Sequence, residues 1–171
     1  MRIEYDIKLG FKDVMIRPKR STLKSRAQVN LDREFKFLHS TTVWKGIPIM
    51  AANMDTVGTF EMALTLSKHK LFTAIHKHYS IQEWEAFLSN APKYLHDYIA
   101  ISTGTGKHDA EKLKAILELQ NDLKFICIDV ANGYSENFSN FVSEVRKKYP
   151  SKTIIAGNVV TADMTQELVL S

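Results

Sequence analysis

The chain is 171 residues long, 44% apolar and 25% charged, with seven glycines, four prolines and one cysteine. That make-up fits one globular unit with enough apolar material for a core, and a single cysteine excludes a disulfide scaffold or a multi-cysteine zinc site. No apolar run approaches the ~20 residues needed to cross a bilayer, and the opening Met-Arg-Ile-Glu-Tyr-Asp is no signal peptide, so the expectation is a soluble cytoplasmic protein.

The formal charge of +4 is unevenly placed. Residues 1–26 hold eight basic side chains (Arg2, Lys8, Lys12, Arg17, Lys19, Arg20, Lys24 and Arg26) against Glu4, Asp6 and Asp13, a local charge of +5. The rest carries 15 bases against 16 acids, or −1. The basic character therefore belongs to an N-terminal arm. Such an arm suits a phosphate-bearing ligand, a nucleic acid or only water.

After the arm, Val29–Phe37 alternates apolar and polar residues, which predicts a half-buried strand. A second rhythm then starts. Short apolar runs begin at Ile47, Leu71, Tyr98, Lys124 and Thr153, spaced 24, 27, 26 and 29 residues apart. Each is followed by a segment with helical spacing. Ser80 and Glu83 have the spacing of a capping box before the stripe Ile81, Trp84 and Leu88. Phe138, Phe141, Val142, Val145 and Tyr149 share one helical face. Apolar strands alternating with amphipathic helices predict a parallel sheet covered on both faces, here five βα units. The expected organisation is a single unit: arm and strand over 1–46, then βα units over 47–171. Three more units would bring the chain to roughly 250 residues, the usual size of a (β/α)8 barrel, and the last apolar run stops at Ser171 without a Gly or Pro. The pattern alone fits either a small open sheet or the first five units of a barrel.

Ligands of parallel α/β folds gather at the carboxyl ends of the strands. Here those ends read Asn53-Met54-Asp55, His76-Lys77-His78-Tyr79, Ser102-Thr103-Gly104-Thr105-Gly106-Lys107, Asp129-Val130-Ala131-Asn132-Gly133-Tyr134 and Gly157-Asn158. Gly104–Lys107 is not a P-loop, because Ile101 and His108 stand where the motif needs Gly and Ser or Thr. His76 and His78 lack a third ligand nearby and read as hydrogen-bonded strand-end histidines, so no metal site is expected. Cys127 alternates with Phe125 and Asp129 on a buried strand and reads as core rather than nucleophile. Lys77 and Asp129 are the two charges to single out. A strand-end lysine can donate to a carbonyl or move a proton; the deep aspartate either caps a neighbouring loop or serves catalysis or ligand binding.

Several motifs carry a family resemblance. Leu9–Val14 (LGFKDV), Arg17–Arg26 (RPKRSTLKSR), Ala52–Phe60 (ANMDTVGTF), Ile75–Ser80 (IHKHYS), Asp129–Glu136 (DVANGYSE) and Ala156–Thr161 (AGNVVT) together resemble GMP reductase, in order and over essentially the whole chain. The related IMP dehydrogenases commonly insert a regulatory module after the second strand's helix. Only about twenty residues separate Tyr79 from Tyr98 here, too few for a folded module, which leaves an IMP dehydrogenase-like enzyme without that module as the alternative.

The resemblance implies a (β/α)8 TIM barrel, present as an incomplete barrel of five units, and typically a homotetramer. It implies reductive deamination of GMP to IMP and ammonia by NADPH, with a loop cysteine attacking purine C2 before hydride transfer. By the same resemblance, Lys77 and Asp129 match positions at the reacting centre and the nicotinamide. Asp129, Val130 and Ala131 match a cofactor-contacting stretch. Ser25 and Arg26 match arm residues that reach NADPH from an adjacent subunit, which weakens a nucleic-acid role for the arm. Met54 and Asn158 match positions close to the nucleotide. The family's catalytic cysteine and its potassium- and phosphate-binding loops fall beyond Ser171, and Cys127 does not match the nucleophile. The chain is therefore expected to be inactive alone, or to persist as a non-catalytic half-barrel associated with an intact subunit.

Overall fold

The computed structural model describes residues 3, 5, 7 and 9–171; Arg2, Glu4, Asp6 and Lys8 of the basic arm lie outside the described residues. The chain divides into two units, 1–30 and 31–171. In the first, two 3-10 turns, Phe11–Asp13 and Arg26–Gln28, interrupt extended chain, and none of its described residues is buried.

In the second unit, β1 (Arg33–Lys36) pairs antiparallel with β2 (Val43–Gly46). The sequence predicted a half-buried strand from Val29 to Phe37. The strand is shorter and exposed on both faces, although Phe37 just beyond it packs edge-on against Phe125. Its partner β2 carries the buried Trp44 into an apolar cluster with Phe72, Ala74, Ala100, Phe125 and Cys127.

Five parallel strands follow in the order of the chain: β3 (Met50–Ala51), β4 (Phe72–Ile75), β5 (Ile99–Thr103), β6 (Phe125–Asp129) and β7 (Thr153–Gly157). Helices α1 (Phe60–Ser67), α2 (Ile81–Asn90), α3 (Lys107–Leu119), α4 (Glu136–Lys148) and α5 (Ala162–Leu170) come after them one by one. The five predicted βα units are all present. They form a curled sheet of the TIM-barrel class with β3 and β7 as its open edges.

Strand alternation sorts the side chains into two layers. Ile75, Ile99, Ile101, Ile126 and Ile128 point toward the helices, where Trp84, Leu113, Ile116, Phe138, Val142 and Val145 meet them. The α4 stripe read from the sequence is the buried face of that helix. Ser80 accepts the Glu83 N–H while the Glu83 carboxylate takes the Ser80 N–H at 2.7 Å, completing the predicted capping box.

Candidate functional site

Strand register brings the polar segments to one edge of the sheet. Ile75 lies opposite Ile101, Thr103 opposite Ile128, and Asp129 opposite Gly157. Lys77, Gly104, Asp129 and Asn158 therefore stand at the ends of four neighbouring strands, and Met54 follows the end of β3. At the opposite end of the strands lies an apolar hollow of about 290 Å³ lined by Phe37, Trp44, Phe72, Phe125 and others, which offers no chemistry.

Lys77 sits two residues past β4 with an exposed side chain. Its ammonium lies 3.4 Å from the point where a Cβ on Gly104 would stand, and that same Cβ would overlap the Asp109 carboxylate. A glycine at the end of β5 lets the Asp109 carboxylate and the Lys77 ammonium close in over the strand end. The backbone around Lys77 is held by its neighbours. Lys112 on α3 donates to the Lys77 carbonyl at 2.6 Å. His76 stacks on Tyr79 (4.2 Å between centroids), Tyr79 on Phe60 (3.7 Å), and Phe60 on Phe87 (4.0 Å), tying the strand end to α1 and α2. The Tyr79 hydroxyl also accepts the Phe60 N–H at 3.3 Å.

His76 is buried, and its Nδ1 accepts the His78 N–H at 3.2 Å. Burial, with the like charge of His78 adding to it, holds its pKa below the usual histidine value. With Nδ1 accepting, the ring carries its proton on Nε2. Among the described residues, no group of three or more His, Cys, Asp or Glu side chains is placed to hold a metal ion.

Asp129 ends β6 half-buried, and its Oδ1 accepts from Asn158 Nδ2 at 3.4 Å. The same amide nitrogen donates to the Val130 carbonyl at 3.1 Å, and the Asn158 N–H reaches that carbonyl at 2.9 Å. Gly133 in turn donates to the Asn158 carbonyl at 3.0 Å, an approach so close that a Cβ there would lie 2.7 Å from that oxygen. The Tyr134 hydroxyl accepts the N–H groups of Val160 and Thr161 (2.8 and 2.9 Å) and donates to Thr161 Oγ1 (3.1 Å). The Asn-Gly-Tyr motif thus clamps the loop after β6 to the loop after β7. Asp129 is a partner in this clamp, the loop-holding role that the sequence offered for it, and its carboxylate stands at the strand-end edge. Ala131 is exposed and Val130 half-buried between these bonds.

Met54 is exposed, and its carbonyl accepts the N–H groups of Val57 and Gly58. Ser25 and Arg26 lie in the 1–30 unit, where the Ser25 hydroxyl caps the short Arg26–Gln28 turn and both residues are exposed.

Cys127 faces the same layer as Ala100 and Phe125, opposite Ser102. Burial pushes its thiol from 9.0 up to about 11; the Ser102 hydroxyl offsets part of this and the Asp129 charge adds to it. The folded-state value is raised, so the protonated thiol's contribution to stability is complete below about pH 9 and fades as pH climbs toward 11. Native protein should alkylate with iodoacetamide far more slowly at pH 8 than urea-unfolded protein. Equal rates would refute the buried placement.

Sequence reading missed Lys112 and Asp109, which on a helical wheel pass for solvated α3 residues. Nothing local signals that Lys112 turns back to a carbonyl 35 residues earlier.

The model for the IMP dehydrogenase / GMP reductase domain matches residues 8–171. GMP reductases of Escherichia coli O81 (strain ED1a) and Shigella boydii serotype 4 (strain Sb227) are each 59% identical over all 171 residues, which cover 49% of each of those proteins. The chain thus spans about half the length of the curated relatives it matches. The crystal structure of inosine 5' monophosphate dehydrogenase from Legionella pneumophila superposes with a TM-score of 0.74 at 22% identity, over 94% of this chain and 47% of that one, a likeness of fold. Among the described residues, no helix is long and apolar enough to cross a membrane.

Proposed function

The chain belongs to the IMP dehydrogenase / GMP reductase family, and from that premise we propose that it is the cofactor-side half of a GMP reductase-like enzyme, serving NADPH-dependent conversion of GMP to IMP and ammonia. The observation that carries this reading is the convergence of polar strand ends at one edge, with the Lys77 ammonium drawn in beside Gly104 and Asp129 ending the next strand. The identity of 59% to GMP reductases, set against a bare fold likeness to an IMP dehydrogenase, favours the reductase over the dehydrogenase.

The residues at this edge suit NADPH. Lys77 offers only donors, for the cofactor's carbonyl or phosphate oxygens, and Asp129 offers only acceptors, for its amide N–H groups. NADPH, when bound, supplies the hydride. Val130 and Ala131 shape the wall beside Asp129, with the Asn158 bonds holding that wall in place. Met54 and Asn158 would border the purine nucleotide, and Ser25 with Arg26 would meet cofactor phosphate from a neighbouring subunit of a cytoplasmic homotetramer. The nucleophilic cysteine would come from the other half, because Cys127 is buried and protonated. The potassium ion implied by the resemblance would be held by a loop outside these residues. Open edges at β3 and β7 favour association with that other half.

The test is NADPH oxidation in the presence of GMP, with and without the C-terminal half of the Escherichia coli GMP reductase. Turnover is expected only with both halves, and Lys77→Met should lower it by roughly 10²-fold or more. Turnover by the 171-residue chain alone, or an undiminished Lys77→Met, would refute the reading.

A further inference from the structure

We infer that Lys112 is a positioning residue for Lys77: its ammonium fixes the Lys77 peptide so that the Lys77 side chain reaches over Gly104. This rests on the cofactor reading above for its purpose, and on geometry for its substance. β4 ends at Ile75, so the Lys77 carbonyl lies past the last ladder bond of its strand. Lys112 Nζ is 2.6 Å from that carbonyl oxygen, a charge-assisted bond between two elements 35 residues apart.

The lysine accepts an unfavourable setting to make this bond. Its side chain is half-buried, and that burial draws its pKa below the ordinary lysine value against the opposing charges of Asp109 and Glu83. Those two carboxylates are themselves engaged, Glu83 in the Ser80 capping box and Asp109 with the Gly106 N–H. Neither pairs with Lys112 as a salt bridge among those seen in the described residues. A surface lysine with no task would extend into water instead.

The other side of the same peptide is the His78 N–H, which donates to His76 Nδ1 at 3.2 Å, and aromatic rings fasten that histidine in turn. His76 precedes Lys77 and lies on Tyr79, which lies on Phe60. The stack holds the side chains on either side of Lys77 but not its carbonyl. Lys112 supplies the remaining restraint, and with it the direction in which the Lys77 ammonium leaves the backbone.

The 171-residue chain itself can be tested. Labelling lysine carbonyls with 13C and histidine nitrogens with 15N isolates three Lys-His peptides, Lys68-His69, Lys77-His78 and Lys107-His108. In Lys112→Met, the Lys77 carbonyl resonance should move while the other two stay, and Lys112→Arg, which keeps a charged donor, should return it toward its original position. NADPH affinity, followed by nicotinamide fluorescence, should fall about tenfold in Lys112→Met and recover in Lys112→Arg. Should Lys112→Met fail to fold, Lys112→Gln removes the ammonium with a smaller change and is read in the same way. A Lys77 carbonyl signal that does not move, or an affinity equally lost in both Met and Arg variants, overturns the inference. If the unsubstituted chain binds no NADPH, the cofactor reading fails on its own, and the carbonyl resonance still decides whether Lys112 holds Lys77.

Discussion

Replacing Trp84 with alanine should cost about 3–5 kcal/mol of unfolding free energy, the range for removing a large buried aromatic side chain. Trp84 is 1% exposed on α2 and meets Phe60 edge-on at 5.1 Å and Phe87 at 6.1 Å. It packs in the layer formed by Ile75, Ile99, Ile101 and the buried residues of α3. The loss would take a large fraction of the ~5–15 kcal/mol that holds a typical domain folded. It would also loosen Phe60, on which Tyr79 and then His76 are stacked, so damage should spread to the loop that carries Lys77. Urea titration by circular dichroism measures the cost. A loss under about 1 kcal/mol would mean that α2 does not pack on the sheet as described.

The second large effect is expected at Gly58, which ends the loop after β3. A Cβ there would overlap the Ala74 carbonyl oxygen outright and lie 2.7 Å from that of Ala52. Both obstacles are backbone, so no side chain can swing aside. The Gly58 φ is not positive; the demand comes from close approach alone. To admit a methyl group, the loop would have to lift off β4 and break the bond from His76 N–H to the Gly58 carbonyl, now 2.9 Å. Gly58→Ala should therefore destabilise by about 3 kcal/mol, combining overpacking with a lost buried hydrogen bond. Gly106→Ala is the control, since its nearest obstacle is the movable Asp109 side chain at 3.3 Å. Equal melting curves for the two variants would contradict the packing of the Met54 loop against β4.

Both effects bear on the mouth of the sheet. Trp84 supports the His76–Tyr79 segment from below, and Gly58 lets the Met54 loop lie against it. The stiffness of the proposed cofactor edge is thus drawn from residues that touch no ligand. At its other side the Tyr134 clamp serves the same end through hydrogen bonds, since the phenol oxygen gathers two N–H groups of the loop after β7.

What could be read from the residues in order was whatever repeats over a few positions. The five βα units, the Ser80–Glu83 capping box and the buried stripe of α4 all follow from the periods of helix and strand, which the backbone sets locally. Polar strand ends were legible for the same reason, and Lys77, Asp129 and Asn158 do stand at one edge. The pairing of β1 with the unforeseen β2 was not legible, because Val43–Gly46 is four residues long and its one strong core residue, Trp44, finds its partners in distant strands. Nor was the link from Lys112 to Lys77, the close approach of Asp109 and Lys77 to Gly104, or the clamp at Tyr134. Each depends on which strand lies beside which and at what register, a long-range choice made by the packing of the whole sheet rather than by any stretch of neighbouring residues.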